Sequence, residues 1–212
     1  VTIPVLMGYL AIGMAFGLMM DSAGYNVFWA LLMSLIIYAG AGQYMGVTLL
    51  AAGASPLQTA LMTLLLNFRH MFYGLSMLEK FRGMGLRKLY MIFSLTDETY
   101  ALLASAKAPE GVREKDYYLA IALMDHSYWV LGTVLGSLLG SALSFDTTGV
   151  DFAMTALFIV IAVGQWKGTR NHLPAAIGCL ATLASLRLAG EDNMLILALV
   201  VIVAALLVFS PK

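Results

Sequence analysis

Charged side chains are scarce in this chain. Lys, Arg, Asp and Glu together make up 11% of its 212 residues, whereas soluble domains average about 25%. Acidic and basic residues cancel to a formal net charge of +0, so the overall charge indicates neither a nucleic-acid partner nor an acidic substrate. With 61% hydrophobic residues, the sequence predicts a polytopic membrane protein embedded in a lipid bilayer.

Residues typical of catalytic and metal sites are also few. Cys179 is the only cysteine, so no disulfide can form within the chain. The histidines are dispersed, without metal-ligand spacing, and the sequence lacks both an ATP-binding glycine-lysine loop and a Gly-x-Ser-x-Gly motif. We therefore expect no metal, no cofactor and no enzyme. The one catalytic alternative is an intramembrane pair formed by Asp97 and Asp125.

Apolar runs separated by short polar turns predict an all-α integral membrane protein in one domain, residues 1–212, with about seven transmembrane helices. Basic loops at 79–88, 107–116 and 167–172 are predicted to be cytoplasmic. Residues 89–106 are then expected to be re-entrant. Because an apolar run begins at once and Val1 is not methionine, we expect a trimmed N-terminus without a cleavable signal peptide.

The two halves of the chain resemble each other weakly. Three features of residues 1–88 have counterparts of the same type within 117–212: Gly13/Gly17 with Gly136/Gly140, 21–24 with 146–149, and 42–44 with 164–166. With seven crossings the halves begin on opposite sides, which makes an inverted repeat of the kind found in secondary transporters. If 89–106 crosses fully, there are eight crossings and the repeat is parallel.

One segment interrupts the apolar run Val27–Ala52, namely Tyr38-Ala39-Gly40-Ala41-Gly42-Gln43. Glycine destabilises a helix interior, and a helix break in lipid is tolerated only beside protein or a polar cavity. Transporters use such breaks to place free backbone groups next to a substrate. The alternative interpretation is a close helix–helix contact through small residues.

The next run, Leu57–Leu78, contains the polar segment Asn67-Phe68-Arg69-His70, followed by Tyr73. Asn67, His70 and Tyr73 share one helix face, which favours a position facing the helix bundle. Placing Arg69 in the middle of the membrane costs about 2.5–3.5 kcal/mol or more, so the alternative is that it snorkels to an interface.

Carboxylates lie in two further segments, at Asp97-Glu98 after Thr96 and at Asp125 beside His126. Carboxylates held away from water can bind a proton near neutral pH, which suits proton coupling. Mixed charges of this kind favour a binding site with coupling over a channel, whose pore uses rings of like residues. A channel or a non-transporting membrane subunit remains the alternative function.

Several motifs resemble the AzlC family of branched-chain amino-acid exporters, in the right order along nearly the whole chain. They are Pro4-x-x-x-Gly8-x-x-x-x-Gly13-x-x-x-Gly17, Tyr38–Gln43, Asn67-Phe68-Arg69-His70-x-x-Tyr73-Gly74, Leu95-Thr96-Asp97-Glu98 and Trp129-x-x-Gly132-x-x-x-Gly136. Where relatives carry Asp, this chain has Asn67, which removes one candidate proton carrier and leaves the coupling ion open.

The resemblance implies the large subunit of a two-component exporter of valine, leucine, isoleucine and methionine in the bacterial inner or plasma membrane. It also implies coupling to the proton motive force and a small AzlD-like membrane subunit as partner. Candidate substrate-binding residues are Tyr38, Ala39, Gly40, Ala41, Gly42, Gln43, Asn67, Arg69, Tyr73 and Thr96, with Gln165 added from its own chemistry. Candidate proton-coupling residues are Asp97, Glu98 and His70, with Asp125 added in the same way. Arg69 is expected to be the counter-charge of the carboxylates or a clamp for the substrate's carboxylate.

Overall fold

The computed structural model describes residues 2–142, 159, 162, 163, 166, 167 and 171–209. Eight helices have their bounds within these residues, in agreement with the predicted all-α fold. They are α1 (Ile3–Ser22), α2 (Val27–Ile36), α3 (Gly40–Ala51), α4 (Pro56–Ser76), α5 (Arg87–Phe93), α6 (Asp97–Ser105), α7 (Glu114–Ala142) and α8 (Leu173–Phe209). Non-helical backbone at Gly190 interrupts α8.

Among the described residues, three helices are long and apolar enough to cross a membrane: Ile3–Ser22, Glu114–Ala142 and Leu173–Gly190. Helices α2 and α3 have 10 and 12 residues, so each is shorter than the ~20 residues that a span requires. Helix α4 has 21 residues but includes the polar Asn67–His70 segment. The number of crossings therefore stays a prediction.

The chain divides into two compact units, Val1–Leu157 and Phe158–Lys212. Helices α1–α7 belong to the first unit and α8 to the second. Several residues on which the predicted repeat depends, 146–149 and 164–165, lie outside the described residues. The candidate Gln165 is one of them, and the inverted repeat stays a prediction.

Glycines hold α1 and α7 together at backbone contact. A Cβ on Gly17 would stand 2.1 Å from the carbonyl oxygen of Thr133, and one on Gly136 would stand 2.1 Å from that of Met14. No side chain fits at either position, so the two four-residue glycine spacings are packing surfaces that face each other. This contact makes α1 and α7 the frame on which the shorter helices are placed.

The break between α2 and α3 occupies Ile37–Ala39, so it begins and ends earlier than the predicted Tyr38–Gln43 segment. Tyr38 has a φ of 42°, in the left-handed region where non-glycine residues are uncommon. Gly40 and Gly42 are instead helical, in the first turn of α3. A Cβ on Gly40 would lie 3.3 Å from the Trp129 ring, and one on Gly42 would lie 3.1 Å from Asn67 Nδ2, so both glycines serve close packing.

A second break separates α5 from α6, within the segment predicted to be re-entrant. Helix α5 ends at Phe93 and α6 begins at Asp97. The Thr96 side chain caps α6 by accepting a hydrogen bond from the Thr99 N–H at 3.2 Å, and Asp97 and Glu98 occupy the first turn, where the helix dipole favours negative charge. The polar residues at 94–99 therefore form a helix start rather than the middle of a helix.

Candidate functional site

The beginnings of α3 and α6 meet around one pair of aromatic residues. Gly40 at the start of α3 packs on the Trp129 ring, whose centroid lies 5.4 Å from that of Tyr9 in an edge-to-face contact. The Tyr9 hydroxyl in turn lies 2.5 Å from Thr96 Oγ1, the cap of α6. Tyr9 and Trp129 are 4% and 3% exposed, so this junction of two broken helices is buried.

Helix α4 contacts both breaks. Its Asn67 lies against Gly42 of α3, and two residues further on Arg69 Nη2 lies 3.0 Å from Asp97 Oδ2 of α6. Tyr73 donates a second hydrogen bond to the same carboxylate, from its hydroxyl to Asp97 Oδ1 at 2.6 Å. The side chains of Arg69 and Asp97 are 28% and 26% exposed, so the ion pair lines an accessible part of the site.

Three buried polar atoms around the breaks have no hydrogen-bond partner within the described residues. They are the Tyr38 hydroxyl, Asn67 Oδ1 and Arg69 Nε. A buried polar group without a partner costs roughly 1–3 kcal/mol, so each of these atoms requires an explanation. Two of the three side chains, those of Asn67 and Arg69, come from the polar segment of α4.

Behind the ion pair, hydroxyl groups connect Glu98 to Asp125. The Tyr9 hydroxyl lies 2.9 Å from Glu98 Oε2 and 2.5 Å from Thr96 Oγ1. Thr96 Oγ1 lies 3.1 Å from Thr99 Oγ1, which lies 2.9 Å from Asp125 Oδ2. Asp125 is completely buried, and its other oxygen, Oδ1, has no partner among the described residues. This line of groups starts at Glu98 on α6, crosses to Tyr9 on α1, returns to the start of α6 and ends at Asp125 on α7.

Gln43 has both ends of its amide occupied by the protein. Its Oε1 accepts a hydrogen bond from Trp129 Nε1 at 2.9 Å, and its Nε2 donates to Ser34 Oγ at 3.1 Å. The indole N–H only donates, so it fixes which amide atom faces it. Ser34 Oγ in turn donates a hydrogen bond to Thr133 Oγ1 at 2.9 Å. Gln43, 0% exposed, therefore joins α2, α3 and α7, and its side chain is a support of the site.

His126 packs against the break between α2 and α3. Its ring stacks on Tyr38 with centroids 4.1 Å apart, its Nε2 lies 3.1 Å from the Ser34 carbonyl oxygen and its Nδ1 lies 3.1 Å from the Tyr90 hydroxyl. A carbonyl oxygen only accepts, so Nε2 carries the hydrogen and neutral His126 accepts from Tyr90 at Nδ1.

The structure brings nearly all candidates from the sequence to this junction. Tyr38–Gln43, Asn67, Arg69, Tyr73, Thr96, Asp97, Glu98 and Asp125 lie at or next to the two breaks, and His70 lies beside Tyr73 with ring centroids 5.7 Å apart. Sequence reasoning did not select Tyr9, Ser34, Thr99 or Trp129 as site residues. One signal was available: Tyr9 is four residues before Gly13, on the glycine face of α1 that packs on α7.

An all-helical membrane protein in which two interrupted helices contact the same polar helix segment, near an ion pair and the buried carboxyl group of Asp125, has features of a secondary transporter. Comparison with known sequences gives the family. The sequence model of the protein family described as "AzlC protein" matches residues 4–143, and the chain belongs to the AzlC family. It is a membrane transport protein and not an enzyme.

Three relatives illustrate the similarity. An uncharacterized membrane protein of Helicobacter pylori is 47% identical over 100% of this chain and 92% of its own length. The branched-chain amino acid transport protein AzlC of Bacillus subtilis is 39% identical over 98% of this chain and 82% of its own. The inner membrane protein YgaZ of Escherichia coli K12 is 33% identical over 85% and 77%. No solved structure matches the chain. The expected location, as a multi-pass protein of the bacterial inner membrane, is confirmed.

Proposed function

We propose that this protein is the large subunit of a proton-coupled secondary exporter of branched-chain amino acids and methionine. The observation that carries the proposal is that the polar segment of α4 contacts two helix starts, that of α3 through Asn67 and that of α6 through the Arg69–Asp97 ion pair. A zwitterionic substrate needs one group that prefers anions and one that prefers cations, and the junction offers both. The name of the Bacillus subtilis relative supports the substrate class.

The start of α3 is the proposed place of the substrate's carboxylate. Its cap residue Ala39 makes no side-chain capping bond, so the first-turn N–H groups at Gly40–Gly42 lack the partner that a Ser or Asp cap supplies. The positive end of the helix dipole adds to the attraction for an anion. Arg69 adds a cationic side chain near the breaks, and its Nε has no partner among the described residues.

The substrate's ammonium group fits the acceptors next to this helix start. Asn67 Oδ1 is buried without a partner among the described residues and lies beside Gly42. The Asp97 carboxylate is part exposed, and its bonds to Arg69 and Tyr73 fix its orientation. The Tyr38 hydroxyl, at the break between α2 and α3, is a further group without a partner among the described residues. Together they account for polar atoms that otherwise remain unsatisfied.

The partner subunit and the direction of transport come from the family resemblance. We include a small hydrophobic AzlD-like membrane protein as the partner, and export as the direction. Proton coupling is assigned to the carboxylates behind the ion pair, Glu98 and Asp125, because Asp97 has a permanent cation beside it.

The test is leucine and valine counterflow in proteoliposomes that contain this protein with its partner. We expect saturable exchange that internal substrate stimulates, whereas a simple pore would show neither property. Arg69→Gln and Asp97→Asn should each reduce exchange by roughly tenfold or more, because each leaves a charged partner unpaired. Asp116→Asn is the matched control, since Asp116 pairs with Arg87 and Arg113 at the start of α7. Absence of exchange in the wild type would reject the proposal.

A further inference from the structure

The line of groups between Glu98 and Asp125 contains more hydrogen bonds than its hydroxyls can supply with hydrogens. It has four contacts: Glu98 to Tyr9, Tyr9 to Thr96, Thr96 to Thr99 and Thr99 to Asp125. Each contact needs one hydrogen, and each hydroxyl has one to donate. Tyr9, Thr96 and Thr99 therefore supply three hydrogens for four bonds. The fourth hydrogen has to come from one of the two carboxyl groups.

The Tyr38 hydroxyl also lies near Thr99 and Tyr9, but the hydrogen of each contact has to belong to one of the two oxygens that the contact joins. The backbone N–H of Thr99 already bonds to Thr96 Oγ1, where it uses the second acceptor site of that oxygen. Arg69, the nearest guanidinium, bonds to Asp97 rather than to Glu98. The ionised form of Asp125 has a buried oxygen, Oδ1, without a partner among the described residues, which favours the form in which Asp125 holds the proton.

We propose that Glu98 and Asp125 share a single proton, and that the hydroxyls of Tyr9, Thr96 and Thr99 relay it between them. This inference deepens the proposed function, on which its transport arm rests, because it names the path by which a bound proton moves between α6 and α7. Tyr9 and Thr99 are thereby assigned as proton-relay residues.

The transfer balances without any further reactant. With the proton on Glu98, its O–H donates to Tyr9, Tyr9 to Thr96, Thr96 to Thr99 and Thr99 to the Asp125 carboxylate. When each hydroxyl passes its own hydrogen forward and accepts the one behind it, Glu98 becomes the carboxylate and Asp125 the acid. The heavy atoms keep their positions, all four bonds persist with reversed direction, and the pair keeps one negative charge.

Other titratable groups lie near the two carboxyl groups of the relay. Tyr38 at the first break and Tyr90 on α5 face Asp125, while Asp97 on α6 and Arg69 on α4 face Glu98. Arg69 and Asp97 neutralise each other through their ion pair, and the two tyrosines are neutral at physiological pH. Within the relay, the charge that changes with pH is therefore that of the Glu98–Asp125 pair. His70 on α4, near Arg69 and Asp97, and His126 on α7, next to Asp125, are titratable groups outside the relay.

The first test uses infrared spectroscopy of the purified protein to follow the carbonyl stretch of protonated carboxyl groups against pH. The band that Asp125→Asn removes belongs to Asp125. In a coupled pair, Glu98→Gln should move the pH midpoint of this band by about one unit or more. In the Thr99→Val background the relay is interrupted, so the same substitution should move the midpoint much less. Thr99→Ser keeps the hydroxyl and should restore the full coupling.

The second test compares counterflow with accumulation driven by a pH gradient in proteoliposomes that also contain the partner. Thr99→Val and Tyr9→Phe should lose most gradient-driven accumulation and keep counterflow, whereas Thr99→Ser should keep both. An equal Glu98→Gln shift with and without the Thr99 hydroxyl, or wild-type accumulation by Thr99→Val, would overturn the relay. If the wild type moves no amino acid in either assay, the proposed function fails, while the infrared result still decides whether the proton is shared.

Discussion

The carbonyl oxygen of Ser34 accepts a hydrogen bond from His126 on another helix, at 3.1 Å. In a continuous helix its donor would be the N–H of Tyr38, four residues later. Tyr38 instead has a φ of 42°, and its N–H points to the Met33 carbonyl at 3.5 Å. A free carbonyl within a bilayer costs several kcal/mol, so the imidazole of α7 is what makes the break between α2 and α3 tolerable.

Replacing this imidazole should therefore destabilise the protein. We expect His126→Ala to lower the free energy of unfolding in detergent by about 1–3 kcal/mol, because the Ser34 carbonyl loses its donor. His126→Gln, whose amide N–H can donate to the same oxygen, should recover part of the loss. Ser127→Ala is the neighbouring control, since its hydroxyl bonds only within α7 at an exposed position. Equal unfolding midpoints for His126→Ala and Ser127→Ala would contradict this assignment.

Short-range patterns were sufficient to predict the pieces of this site. Four-residue glycine spacing is typical of close helix packing, and α1 and α7 pack through such glycines. The unusual residues at 38–43 predicted a helix break, although the structure places it at Ile37–Ala39. Arg69 was expected to be the counter-charge of the carboxylates or a clamp for the substrate's carboxylate, and in the structure it pairs with Asp97. In each case the local sequence is unfavourable in lipid unless a specific neighbour is present.

The contacts between distant helices could not be predicted in the same way. Tyr9 and Thr96 are 87 residues apart, and Ser34 and His126 are 92 apart. A single hydrophobic pattern states which face of a helix is apolar but not which helix packs on it. In α1 the pattern is apolar all round, so Tyr9 carried no sign that it faces a polar group. Thr99 looked like an ordinary first-turn residue of α6, and its bond to Asp125 depends on how α6 and α7 pack.

The close α1–α7 contact predicts that a larger residue at one of its glycines destabilises the protein. Gly136→Ala would place a methyl group 2.1 Å from the Met14 carbonyl oxygen, where the backbone itself has to move. We expect a loss of about 1–3 kcal/mol or more and a smaller folded fraction in size-exclusion chromatography. Gly8→Ala, on the same α1 helix but with nothing within 4 Å of its Cβ position, should behave as the wild type. If both variants elute alike, α1 and α7 do not pack through these glycines.

The ion pair between Arg69 and Asp97 can be measured by a double-mutant cycle. Arg69→Gln and Asp97→Asn should each destabilise the protein, and the double variant should be more stable than the sum of the two losses implies. For residues in direct contact we expect a coupling of about 0.5–3 kcal/mol in the free energy of unfolding. The same cycle with Tyr73→Phe and Asp97→Asn should also show coupling, because the Tyr73 hydroxyl bonds to the other oxygen of the same carboxylate. Strict additivity in both cycles would mean that neither contact forms in the membrane-solubilised protein.

The buried amide of Gln43 allows a test in which the protein should become sensitive to pH. In Gln43→Glu a protonated carboxyl group can still accept from Trp129 and donate to Ser34, as the amide does now. An ionised carboxylate cannot donate, and at 0% exposure it has no cation to pair with among its bonded neighbours. Because only the folded state disfavours the charge, the variant should be close to the wild type at acidic pH and lose stability as pH rises above ~4–5, where the unfolded chain ionises. At neutral pH the loss should approach about 3–4 kcal/mol, the limit set by ~1.4 kcal/mol per pH unit above the unfolded pKa of ~4.3, measured as a thermal or denaturant midpoint against pH. Gln58→Glu, at an exposed position near the start of α4, is the control, and its stability should not fall as the pH rises. If the stability of Gln43→Glu were also independent of pH, water or a ligand would have to reach position 43. The Gln43 side chain would then be part of the binding surface and not a support behind it.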